Sequence, residues 1–195
     1  MYNTKTSHST KAAFPILIVL SLSILFNLCS CQSFANAGSR GAADKGLKLR
    51  VMTFNIRYGS AGDGPNQWKN RKEMVFDVLR DHNPEIVGLQ EALNFQMTEI
   101  CTALGKYGQV GVAREDGKVD GEFSSILYDI ARFKVDESGT FWFSNTPEVP
   151  GSNHWGAACV RICTWARFIE RKSGKAFYVF NLHLDHVSQP AREKS

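Results

Sequence analysis

From Leu47 to Gln90 the chain reads strand, helix, strand, and this order constrains its fold more than any other feature. LKLRVMTFNI (47–56) has the apolar and β-branched content of a buried strand. Between Trp68 and His82 the residues Trp68, Met74, Val75, Val78 and Leu79 recur at helical spacing with charges among them, and Asn83-Pro84 stops the helix. EIVGLQ (85–90) is a second short apolar run, hence a second buried strand. A helical crossover makes the two strands parallel. It also brings their C-terminal ends to one edge of the sheet, the edge where open α/β sheets bind ligands.

The rest of the chain changes rhythm. Asn94 is placed to cap a second helix that ends before Gly105. Strand-like runs follow: YGQVGVA, EFSSILY, RFKVDES and GTFWFS. A long loop leads to ACVRICTWARFIE, Ser173-Gly174 turns the chain into KAFYVFNLHL, and SQPAREKS opens another helix. Helices early and strand pairs late predict a mixed α/β sandwich. The 195 residues, 43% of them hydrophobic, suffice for one domain with a substantial core.

Three strand ends carry polar residues with chemistry: Asn55, Glu91, and the pair His183 and Asp185. An amide oxygen and a carboxylate are hard ligands that suit Mg²⁺ or Mn²⁺, ions that take few protein ligands and keep several waters. An imidazole nearby can donate to a phosphate oxygen. Together these are parts for metal-assisted phosphoryl transfer. No Walker loop, HExxH motif or Ser-His-Asp order is present, and without paired CxxC motifs a zinc-finger array is excluded.

The N-terminus reads as an export leader. Lys5 and Lys11 precede the apolar stretch Ala12 to Leu28, after which small residues follow. Leu28-Cys29-Ser30-Cys31 reads as a lipobox that would leave a lipid anchor on Cys31; Ala35-Asn36-Ala37 reads as an ordinary signal-peptidase site. The expected organisation is a leader over 1–37, a linker over 38–46 and a domain over 47–195, in a protein that is secreted, periplasmic or held at the membrane as a lipoprotein. The formal charge of +4 belongs partly to the leader, since removing 1–31 leaves 21 basic against 19 acidic residues. Of the remaining cysteines, Cys159 and Cys163 on one strand would sit roughly 13 Å apart, too far to bridge; buried free thiols are expected, with a bond from Cys101 to one of them as the alternative.

MTFNIR (52–57), GLQE (88–91) and NLHLDH (181–186) resemble the signature segments of the endonuclease/exonuclease/phosphatase superfamily, with its DNase I-like fold. Between them, Trp68 with Arg71, Arg114-Glu115-Asp116-Gly117, GEFSSILYD (121–129), GTFWFSNTP (139–147) and RICTWARF (161–168) resemble a secreted, mostly bacterial branch. The resemblance implies a four-layer αββα sandwich and a divalent-metal hydrolase of phosphate esters. It makes Glu91 the main metal ligand, gives Asn55 the metal or the attacking water, and puts His183 on the scissile phosphate. Asp185 either orients the site or forms a turn. Arg161 either orients acidic groups there or forms a buried ion pair, and Glu122 either supports the site or merely starts a strand.

Leu182 stands where the family usually has Thr, Asn145 where Glu is common, and Gly156 where Asp is usual. The family's downstream G-D-x-N and S-D-H motifs do not occur in these 195 residues. The chain therefore reads as C-terminally truncated, with the second half of the sandwich incomplete, and is expected to be unstable or inactive as written. The resemblance leaves several substrates open: nucleic acid, a phospholipid head group, or a sugar or inositol phosphate. The alternative reading is a noncatalytic, exported, phosphate-binding lipoprotein. His186 reads as a surface turn residue, with a second site histidine as the alternative, and Trp142 reads as sheet core.

Overall fold

The computed structural model describes residues 46–195; the readings that fall on the leader, Cys31 and nearly all of the linker lie outside the described residues. Among the described residues seven strands form two sheets. β1 (Val51–Asn55), β2 (Ile86–Gln90), β3 (Tyr107–Val110) and β4 (Ile126–Asp129) make one, in the order β1-β2-β4-β3. β5 (Phe133–Trp142), β6 (Ile162–Glu170) and β7 (Ala176–Leu182) make the other, an antiparallel meander. Helices α1 (Trp68–His82) and α2 (Asn94–Leu104) follow β1 and β2, and a short α3 (Gln189–Lys194) comes last.

β1 and β2 are parallel, with Asn55 level with Gln90, as the helical crossover requires. α1 and α2 cover the outer face of this first sheet. Leu79, Val75 and Phe76 of α1 and Met97 and Ile100 of α2 pack there with Val87, Leu89 and Leu127. A second core of Ile86, Ile126, Phe133, Ala166 and Phe168 joins the two sheets face to face. The described residues thus supply α, β and β layers of a mixed α/β sandwich. On the outer face of the second sheet Tyr178 and Phe180 stay exposed, at 54% and 59%.

Local differences from the sequence reading have physical causes. β1 is an edge strand, not a buried one: Met52 and Phe54 face the core while Val51 is 62% exposed. α2 begins at Asn94 with Leu93 as its cap, because Gln96 Oε1 accepts the Leu93 N–H at 3.0 Å. RFKVDES and GTFWFS form one ten-residue strand, whose register shift between Val135 and Glu137 absorbs the polar middle as a bulge. Helix α1 matches its predicted span, ending on Asn83 in the left-handed conformation. Among the described residues Cys101, Cys159 and Cys163 form no disulfide with one another.

One buried amide ties the sheets together. Asn181 on β7 donates from Nδ2 to the carbonyls of Leu89 and Ser125, both at 2.8 Å, and accepts from Gln90 Nε2 at 2.7 Å. Gly88 makes room for it, since a Cβ there would lie 2.6 Å from Asn181 Oδ1. Gly88→Ala is therefore expected to cost about 2 kcal/mol through overpacking, read as a lower urea midpoint at unchanged slope. An unchanged midpoint would mean that Asn181 has room to yield.

Candidate active site

The parallel β1–β2 pair delivers the first two groups. Asn55 ends β1 and Glu91 follows β2 directly, so adjacent strand ends set them side by side. Asn55 Nδ2 donates to Glu91 Oε1 at 2.8 Å, and Asn55 Oδ1 accepts the Arg57 N–H at 2.9 Å. These partners fix the amide's orientation: the carboxylate needs a donor and the backbone N–H an acceptor. Asn55 thus holds Glu91 and spends its own oxygen on the backbone. The second Glu91 oxygen accepts the Tyr58 N–H at 3.3 Å.

Two residues here adopt left-handed backbone without being glycine, Glu91 at φ 60° and Arg57 at φ 58°. Such conformations cost of order 1–3 kcal/mol each and cluster at functional sites. Arg57 is anchored by a two-point ion pair to Asp63, at 2.9 and 3.0 Å. Its carbonyl accepts from Arg71 and Gln96. Among the described residues Glu91 enters no ion pair.

The opposite wall is organised by Arg161, which is 6% exposed. Its Nε faces Asp185 Oδ2 at 3.4 Å, and its two terminal nitrogens reach His183 Nδ1 at 3.2 Å and His186 Nδ1 at 3.0 Å. A guanidinium can only donate, so Nδ1 of each ring accepts. Neutral His183 must then carry its proton on Nε2. Burial and the adjacent Arg161 lower the His183 pKa, which keeps the ring in that neutral form.

Asp185 lies behind this wall, 2% exposed. Its carboxylate accepts four backbone N–H groups, from Ala158, Cys159, Val187 and Ser188, at 2.8–3.3 Å. Burial alone would push its pKa up, but those N–H groups hold it well below the usual carboxylate range. Asp185 fixes the loop and Arg161 without reaching the cleft surface.

Glu122 sits at the floor, paired with Arg114 at 2.7 Å, while Arg114 Nε also reaches Glu115 at 3.1 Å. Burial raises the Glu122 pKa against the pull of Arg114, with nearby Glu91 adding to the rise.

Glu91, Glu122, Arg161 and His183 all line one cleft of about 330 Å³, joined by Arg57, Tyr58, Arg114, Cys159 and His186. Asn55 acts on it through Glu91. The sequence leaves His186 open between a turn residue and a second site histidine; the fold brings it to Arg161. Arg114 stood in a quoted motif, but the ion pair that sets it on the cleft was invisible. Asn145, at a position where Glu is usual, still accepts from Trp155 Nε1 at 2.9 Å, and Trp142 is core.

The donor set suits a hard divalent cation. Among the described residues no three His, Cys, Asp or Glu side chains form a cage around one point. Mg²⁺ needs no such cage: one or two carboxylates and water are enough. Glu91 offers a carboxylate already oriented by two donors and not neutralised by an ion pair.

No protein-family profile matches the chain. An uncharacterized protein of Acanthamoeba polyphaga mimivirus is 30% identical over 146 residues, spanning 70% of this chain and 54% of that protein. Among solved structures, an endonuclease/exonuclease/phosphatase from Bacteroides vulgatus matches with a TM-score of 0.74 at 40% identity, over 76% of this chain and 57% of its own. A mannosyl-6-phosphatase from Bacteroides thetaiotaomicron matches with a TM-score of 0.72 at 37% identity, over 75% and 55%. The chain therefore spans little more than half the length of these relatives.

Proposed function

The chain belongs to the endonuclease/exonuclease/phosphatase superfamily, and from that premise we propose that it hydrolyses phosphate esters with the help of a divalent cation, Mg²⁺ or Mn²⁺. The observation that carries this reading is the pairing of an unneutralised, oriented carboxylate, Glu91, with a proton-locked imidazole, His183, across one cleft. Glu91 would hold the cation. When bound, the cation would polarise the phosphate and stabilise charge on its oxygens.

The chain's own groups then have distinct tasks. Asn55 keeps Glu91 in place. His183 donates its Nε2–H to a phosphate oxygen. Arg161 fixes the His183 tautomer, and Asp185 fixes Arg161. Glu122 sets Arg114 at the cleft floor. The mannosyl-6-phosphatase relative favours a sugar phosphate over a nucleic acid as substrate. The leader supports export, either anchored through Cys31 or released after Ala37.

Hydrolysis of mannose 6-phosphate or p-nitrophenyl phosphate, by a chain that also carries the G-D-x-N and S-D-H segments, is expected to require added Mg²⁺, to vanish with EDTA and to return when Mg²⁺ is restored. Turnover that survives exhaustive chelation would overturn the metal role. Tight phosphate binding without turnover would favour the noncatalytic phosphate-binding protein instead.

A further inference from the structure

Resting on the phosphate-ester reading, we infer that His186 is a second phosphate-binding imidazole, paired with His183 by the shared Arg161 guanidinium, and that this pair selects terminal phosphate monoesters over internal diesters. His186 lines the same cleft as His183 and Glu91. Its Nδ1 accepts from one terminal nitrogen of Arg161, as His183 Nδ1 accepts from the other. One planar group therefore holds two rings side by side, and each has only Nε2 left for a ligand.

Arg161 is well suited to this task. It is buried and backed by Asp185, so its fork geometry is fixed. A lysine could not hold two rings in this way, because its ammonium is a single point. His186 itself is exposed and packs into no core. Its ordering comes from Arg161.

The count of donors gives the selectivity. A phosphate monoester presents three terminal oxygens and close to two negative charges near neutral pH. A diester presents two non-bridging oxygens and one charge, and its second ester oxygen is a poor acceptor. Two imidazole N–H donors engage two terminal oxygens, and the third is left for a cation held by Glu91. In a diester the cation takes one of the two non-bridging oxygens, so the two imidazole donors share the other or one of them meets an ester oxygen, which costs affinity.

The test uses the whole chain with added Mg²⁺ and two simple probes, methyl phosphate and dimethyl phosphate, with binding measured by calorimetry at about pH 8, above the second phosphate pKa. The chain is expected to bind methyl phosphate more tightly than dimethyl phosphate. His186→Ala is expected to weaken methyl phosphate about tenfold, the loss of one charge-assisted hydrogen bond, and to leave dimethyl phosphate unchanged. His186→Gln, which restores an N–H donor at the same reach, should recover most of the difference. Long-range ¹H–¹⁵N spectra should show Nδ1 unprotonated in both rings and Nε2 shifts in both on adding methyl phosphate. If His186→Ala weakens both probes alike, or neither, this inference falls and the phosphate cleft stands. If the unaltered chain binds neither probe, the phosphate-ester reading falls with it.

Discussion

Glu91→Gln is expected to lower phosphate-ester turnover by about a thousandfold, with only a small fall in the thermal midpoint, because the amide accepts from one of the two donors, Asn55 Nδ2 and the Tyr58 N–H, that the carboxylate satisfies. The amide keeps the shape and packing of the side chain but removes the charge that would hold a cation. Because Glu91 forms no ion pair among the described residues, neutralising it leaves no buried cation unpartnered. Mn²⁺ binding, followed by electron paramagnetic resonance, should weaken in step with turnover. Retained Mn²⁺ affinity in the variant would place the cation elsewhere, even if activity were lost.

Asp185→Ala should act the other way, on stability first. It leaves the buried Arg161 charge unpaired and strands four backbone N–H groups. Breaking a buried pair on one side costs about 3–5 kcal/mol, a large part of the 5–15 kcal/mol typical of a whole domain. A fall in melting temperature of roughly 10 °C follows for a domain of this size. The pH dependence has a definite sign. The folded-state pKa of Asp185 is depressed, so its contribution is full above the ordinary carboxylate value and is lost as pH falls toward the folded one. The gap between the parent chain and Asp185→Ala should stay constant from about pH 8 to pH 5 and narrow only below about pH 4. A gap that closes near neutrality would mean that another group carries the effect.

What the sequence revealed and what it hid divide along one physical line. Helix α1 was legible because its apolar spacing and its Asn83-Pro84 stop are local. The β1–β2 crossover was legible because a helix between two strands leaves one handed solution. That solution by itself makes Asn55 and Glu91 neighbours. The edge position of β1 was hidden, since a strand's neighbours lie far away in sequence. β5 read as two strands because Glu137, Ser138 and Gly139 look like a turn; pairing along β6 overrides that local preference. The cleft's second wall was hidden for the same reason. His186 lies 25 residues from Arg161, and no local pattern announces that one guanidinium will gather both histidines.

The left-handed backbone at Glu91 carries a practical lesson for anyone who would engineer this chain. Glycine or asparagine would sit more comfortably at that position. A screen that rewards heat resistance alone would therefore drift toward those residues and discard the carboxylate that the cleft keeps free of an ion pair. Consensus-style or automated stabilisation of this scaffold has to hold position 91 fixed and seek its gains on the outer surfaces.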